Sequence, residues 1–201
     1  GEDSVSFTVD TSPPTVTISS PKDGDVLASS SVTVTWSGSD TGSGIDHYEV
    51  RLDSGSWINV GASTSHTFNG VDDGDHIVYV RAYDKAGNYG EDSVSFTVDT
   101  SPPTVTISSP KDGDYINSSS VTVSWSGSDT GSGIDHYEVR IDGGGWIDVG
   151  TSTSYTFSVG DGGHTVDVRA FDLAGNVGSD SVSFTVDTVA PTVTIDSPKD
   201  G

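Results

Sequence analysis

The chain contains no cysteine and no methionine. Disulfides, thiol nucleophiles and cysteine–zinc centres are therefore excluded, so stability must come from packing, strand ladders and any bound metal. Basic residues are scarce, with 8 Lys and Arg against 30 Asp and Glu and a formal net charge of −22. A surface of that sign cannot neutralise phosphates, which excludes nucleic acid as a partner. It also excludes adhesion to anionic lipid by charge alone. No apolar run is long enough to cross a bilayer and no basic-then-apolar leader is present, so no membrane insertion is expected in this segment. If the protein is secreted, its signal is expected outside these 201 residues. Periodicity of the helical kind is lacking throughout.

What remains is rich in Gly, Pro, Ser, Thr and Val. Branched residues suit a pleated surface, and Gly and Pro punctuate it with turns. Apart from Glu2, Glu49, Glu91 and Glu138, every acid is Asp. Asp favours turns and binds hard cations with little side-chain entropy to lose. An acidic, water-retaining surface adapted to high salt is the alternative reading of the same composition.

The sequence repeats itself. GEDSVSFTVDTSPPTVTISSPKDGD begins at Gly1 and recurs without change at Gly90. Trp36, Tyr48 and Trp57 return as Trp125, Tyr137 and Trp146, and later His76, Arg81 and Asn88 return as His164, Arg169 and Asn176. Roughly three-quarters of the paired positions are identical. The boundaries read as the final strand of a preceding copy at 1–9, complete repeats at 10–98 and 99–186, and the start of a following copy at 187–201. A section of a longer array is the simplest explanation.

In the first repeat, short alternating runs separated by Gly, Asp and Ser predict seven strands. They are A (15–19), B (32–37), C (47–52), C′ (57–60), E (65–68), F (76–83) and G (93–98). Val32, Val34 and Trp36 fall on one face of B, and Val78, Val80 and Ala82 on the inner face of F. The fold class is all-β: tandem Ig-like or fibronectin III-like seven-stranded β-sandwiches.

The strings SGSDTGSGIDHYEVR, HIVYVRAYDKAGN and VDTSPPTVTI carry a resemblance. They resemble the bacterial and archaeal Ig-like repeats of giant surface adhesins, S-layer-associated proteins and extracellular filaments. The most specific parts are the Tyr83–Asn88 and Phe171–Asn176 turns and the VDT-x-x-P-T-V linker. The resemblance implies an extracellular, cell-surface setting in which such modules hold a binding tip away from the cell, often with calcium at the junctions.

Strand order places the B–C, C′–E and F–G loops at the end where A begins. That pole gathers Asp40, Asp46, Asp84 and Asn88 near linker Asp10, and in the second repeat Asp129, Asp135, Asp172 and Asn176 near linker Asp99. Four carboxylates and an amide oxygen, with carbonyls or water, match what Ca²⁺ requires. The alternative is that Asp84 and Asn88 cap a tight F–G turn. At the opposite pole Asp23, Asp25, Asp72, Asp73 and Asp75 read as solvated turns, because the second repeat keeps only Asp161 beside two glycines in its E–F loop. Proline before strand A, at Pro13-Pro14, Pro102-Pro103 and Pro191, shortens the hinge and favours a semi-rigid stalk.

No catalytic constellation emerges. The five histidines begin strands C and F or lie in E, and His66 is replaced by Tyr155 in the second copy. Gly143-Gly144-Gly145 lacks the Lys-Ser/Thr of a phosphate loop. Trp57 and Trp146 either cap the sandwich or present an indole to a sugar. Asn117-Ser118-Ser119 is an N-glycosylation sequon. The expected function is a non-enzymatic stalk, sheath or filament segment whose partners are neighbouring repeats or copies of itself. A carbohydrate- or ligand-binding accessory or adhesin module is the alternative. Strand exchange through Ser4–Val9 is a third route to assembly.

Overall fold

Branched residues at every second position keep each strand extended and give it one apolar face. The computed structural model describes residues 1–197 and contains no helix among them. The strands of the first repeat are β1 (Thr15–Ser20), β2 (Asp25–Leu27), β3 (Val32–Ser39), β4 (Ile45–Leu52), β5 (Ile58–Gly61), β6 (Ser65–Phe68), β7 (Gly74–Asp84) and β8 (Tyr89–Val98). The second repeat supplies β9 (Thr104–Ser109), β10 (Asp114–Ile116), β11 (Ser120–Ser128), β12 (Ile134–Ile141), β13 (Ile147–Gly150), β14 (Ser154–Ser158), β15 (Gly162–Asp172) and β16 (Val177–Val186).

Each repeat pairs a three-stranded with a five-stranded sheet. In the first these are β1-β3-β6 and β2-β8-β7-β4-β5. In the second they are β9-β11-β14 and β10-β16-β15-β12-β13. All seven expected strands are present, and each repeat adds a short eighth, β2 or β10. This strand runs parallel to the last one, pairing Asp25 with Phe96 and Leu27 with Val98 in the first repeat. The antiparallel pairing of β1 with β3 shifts register between Ile18 and Ser20. Asp92 compensates there, its carboxylate accepting the Ile18 amide at 2.8 Å.

The core of the first repeat is made of the residues that alternation selected. Val34, Val50, Val78, Val80 and Ala82 are fully buried, and Trp36 meets Tyr48 edge-on with ring centroids 5.8 Å apart. Val123, Val139, Val166, Val168 and Ala170 take the same places in the second repeat. Burying a valine side chain contributes on the order of 1.5–3 kcal/mol, so these two columns dominate the stability of each sandwich.

The chain divides into two compact units, Gly1–Ser101 with Leu173–Asn176, and Pro102–Asp172 with Val177 onward. Residues 1–9 belong to no strand, and Val5 and Phe7 are 85% and 84% exposed. A lone strand has no ladder partner to hold it. Residues 187–197 form no strand either, and the rest of the expected following copy, 198–201, lies outside the described residues.

Candidate metal centre

The linker enters the first repeat beside the B–C loop (40–44) and the F–G turn (85–88). Asp10, Asp40 and Asp84 each bring one carboxylate oxygen to within 4.8 Å of the other two. Local hydrogen bonding orients all three. Asp40 Oδ2 accepts the amides of Gly42 and Gly44 at 3.0 and 2.7 Å, closing the B–C loop on itself. Asp84, only 2% exposed, accepts the amides of Ala86 and Asn88 through Oδ1 at 2.9 and 2.8 Å. Asp10 reaches across from the linker and accepts the Ser43 amide at 2.6 Å and the Ser12 amide at 3.1 Å. The Ser43 hydroxyl and amide, followed by the Ser12 amide, hold the Asp10 carboxyl below the usual carboxylate range, so it is anionic.

The residues present fit a hard cation. Asp40 Oδ1 is buried and has no hydrogen-bond partner. A buried carboxylate oxygen without a donor is costly unless a cation takes that place. Three clustered Asp side chains offer hard oxygen ligands, and carbonyls and water would complete a calcium shell of six to eight. Lys85 reaches this loop, and its Nζ would lie 3.9 Å from a Cβ built on Gly44.

Two residues read from sequence as ligands serve otherwise in the structure. Asp46 is exposed and pairs with His47, Oδ2 to Nδ1 at 2.8 Å. Asn88 turns its amide nitrogen toward the cluster and donates to Asp84 Oδ2 at 2.7 Å and to the Asp10 carbonyl at 3.1 Å. Asn88 thus ties the linker to the F–G turn.

In the second repeat, Asp129 Oδ2 accepts the Gly131 and Gly133 amides at 2.9 and 2.7 Å, and its Oδ1 is likewise buried without a partner. Asp172 is 2% exposed. Asp135 pairs with His136 at 2.8 Å, as Asp46 does with His47. Asp99 is fully buried, accepts the Ser101 amide through Oδ1 at 3.1 Å, and receives Asn176 Nδ2 on its carbonyl at 2.8 Å. Asn117 stands exposed between β10 and β11.

Sequence reasoning overlooked Gly42 and Ser43, which build the floor of this site. A Cβ on Gly42 would lie 2.3 Å from the Asp10 carboxylate, so only glycine lets the linker approach so closely. The signal was available, because SGSDTGSGID is unchanged between the repeats. The opposite pole also binds the linker. Asp73, expected in a solvated turn, accepts the Thr100 amide and hydroxyl at 3.0 and 2.9 Å and the Ser101 hydroxyl at 3.0 Å. Asp23 accepts the Ser95 amide and hydroxyl, which secures the A–B turn to β8.

Trp57 neither caps the core nor stands free. Its ring lies 4.7 Å from the Arg51 guanidinium and 4.0 Å from that of Arg81. Trp146 is held in the same way by Arg140 and Arg169, at 4.5 and 4.1 Å.

Known proteins share this architecture. Exoglucanase B of Cellulomonas fimi is 32% identical over 92% of this chain, and the match spans 18% of that enzyme. Halomucin of Haloquadratum walsbyi is 33% identical over 66% of the chain and 2% of its own length. The chain therefore spans less than a fifth of either relative. Among solved structures, the fibronectin(III)-like modules of Clostridium thermocellum CbhA superpose with a TM-score of 0.56 at 21% identity, covering 86% of this chain and 94% of theirs. The family profile described as Bacterial Ig domain matches residues 14–101 and 103–168. With two sandwiches of that architecture and a family match over most of its length, the chain belongs to the bacterial Ig domain family.

Proposed function

We propose that the chain is a non-catalytic structural segment of a large extracellular protein, a stalk, sheath or filament whose linkers are stiffened by Ca²⁺. One observation carries the reading: linker residue Asp10 is drawn into the B–C loop of the following repeat, beside Asp40 and Asp84. A hinge that donates a metal ligand to the domain it precedes loses its freedom when the ion binds. Asp10, Asp40 and Asp84 would hold the cation, and Asn88 and Ser43 would keep the linker in place without touching it. The small share of each relative that the chain covers agrees with a segment that recurs inside long, multidomain proteins.

A sugar-binding role would have relied on Trp57 and Trp146. Each ring is already within cation–π distance of two guanidiniums, which leaves little indole to stack on a pyranose. The structural reading is therefore the better supported.

Calorimetric titration with CaCl₂ tests it. Binding heat is expected for the whole chain, together with a fall in melting temperature on adding EDTA at constant ionic strength. Asp40→Asn, which keeps the acceptor for Gly42 and Gly44 but removes a charge, should weaken binding about tenfold or more. Absence of both heat and melting shift in the unaltered chain would remove calcium from the proposal.

A further inference from the structure

The outward faces of the two sheets differ in a way that composition does not anticipate. Every outward side chain of β1, β3 and β6 is Ser or Thr, and the same holds for β9, β11 and β14. Not one is charged, in a chain with 30 acidic and 8 basic residues. Threonine is explained by its preference for strands, but serine has no such preference, and both are used.

The two repeats allow a comparison of the faces. On the outer side of the five-stranded sheet, Ile77, Tyr79, Tyr89 and Glu91 become Thr165, Asp167, Val177 and Ser179. On the hydroxyl face the only change among paired outward positions is Thr35 to Ser124, which keeps the hydroxyl. One face tolerates changes of size and charge, while the other retains one functional group.

Three uses of such a face can be separated by magnitude. Three strands spaced about 4.8 Å apart and eight residues long cover on the order of 300–400 Å². A stable protein interface needs about 800 Å² per partner, so a patch of this size does not dock another copy. Reversible capture of a free sugar needs an aromatic platform, and this face has none. What exposed hydroxyls offer by themselves is a nucleophilic oxygen for covalent attachment.

We infer that the hydroxyl faces are O-glycosylation surfaces, with Thr17 and Thr106 as the principal acceptors. Many hydroxyls on the face are engaged with each other, as in the Thr33–Thr67 and Thr122–Thr156 pairs at 2.9 and 2.8 Å. Thr17 sits opposite Ser37 and Thr106 opposite Ser126, and none of these four hydroxyls makes a hydrogen bond within the described residues. Both threonines are exposed and lie on an edge strand, open to an enzyme from the side. In the transfer, Oγ1 attacks the anomeric carbon of a nucleotide- or lipid-linked sugar. The bond from that carbon to the diphosphate oxygen breaks, the nucleoside diphosphate or lipid pyrophosphate leaves with the electron pair, and the hydroxyl proton passes to a basic group of the transferase. Sugars there would cover the only charge-free face of each sandwich.

The test is peptide mapping of protein purified from its own source cells, by electron-transfer fragmentation mass spectrometry before and after alkaline β-elimination. Sugar increments are expected at Thr17 and Thr106, removed by alkali, and absent from a Thr17→Val/Thr106→Val variant produced in the same cells. An intact mass equal to the bare chain, or sugar confined to Asn117 or to loops, overturns the inference. It stands apart from the calcium reading: a bare chain that binds Ca²⁺ would sink this inference alone.

Discussion

His76 and His164 sit in equivalent clasps. His76 Nδ1 faces Asp53 Oδ2 at 2.8 Å and Nε2 faces the Asp72 carbonyl at 2.8 Å. His164 is held by Asp142 and the Gly160 carbonyl at the same distances. Both partners are acceptors, so both ring nitrogens must donate and the imidazole is held as a cation. Burial opposes that charge at His76, but the bonds to Asp53 and Asp72 outweigh it and raise the pKa. At His164 the Asp142 bond dominates and raises it too. A raised folded pKa gives stability that is complete below the unfolded value of 6.5 and is lost as pH climbs through the folded value. On the acid side, burial of Asp142 works against its charge, but the His164 and Thr165 bonds prevail and lower its pKa. Its contribution therefore disappears as pH falls from 3.8 through the folded value. Melting temperature should decline as pH rises above about 6.5, and the His76→Gln/His164→Gln variant should flatten that decline. An unaltered slope in the double variant would show that the clasps do not carry it.

At the scale of the element, the outer face of the five-stranded sheet holds all four arginines of the chain, two around each of Trp57 and Trp146. Arg140 also pairs with Asp167, whereas Arg51 stands 4.3 Å from the Tyr79 ring with its Nε buried and unbonded. Trp57→Ala should therefore destabilise the first repeat by about 1–2 kcal/mol, the sum of two such contacts. Tyr79→Asp, which supplies the carboxylate that Arg140 already has, should cost less than about 0.5 kcal/mol. Urea unfolding reads both. This arrangement was illegible in the sequence because Arg51, Trp57, Tyr79 and Arg81 meet only across strands. The seven strands, by contrast, were legible because alternation is a local signal. β2 was not: three residues cannot show a period, and its partner β8 lies about 70 residues away. For the candidate metal site, strand order sufficed to collect Asp10, Asp40 and Asp84 at one pole. Which way Asn88 and Asp46 would turn depended on hydrogen bonds to neighbours distant in sequence.

At the scale of the whole molecule, the linker matters most. Within the first repeat the entering chain is held by Ser43 and Asn88, and the leaving chain by Asp73. In the proposed stalk, tension therefore reaches the sandwich itself. Force enters near β1 and leaves through the C-terminal end of β8, and β2 is bonded parallel to β8. Pulling the two ends apart slides β2 along β8, loading their hydrogen bonds side by side in shear, so that they must break together. An antiparallel pair loaded at one end would open one bond at a time, like a zip. The three residues of β2 are thus expected to set the force at which the domain yields. Leu27→Pro, which removes the amide on the side of β2 that faces β8, should lower the rupture force of the first repeat in single-molecule stretching by a larger fraction than its urea midpoint. An unchanged rupture force would place the mechanical barrier elsewhere. By this reasoning, the strand hardest to read from the sequence is the one that bears the load.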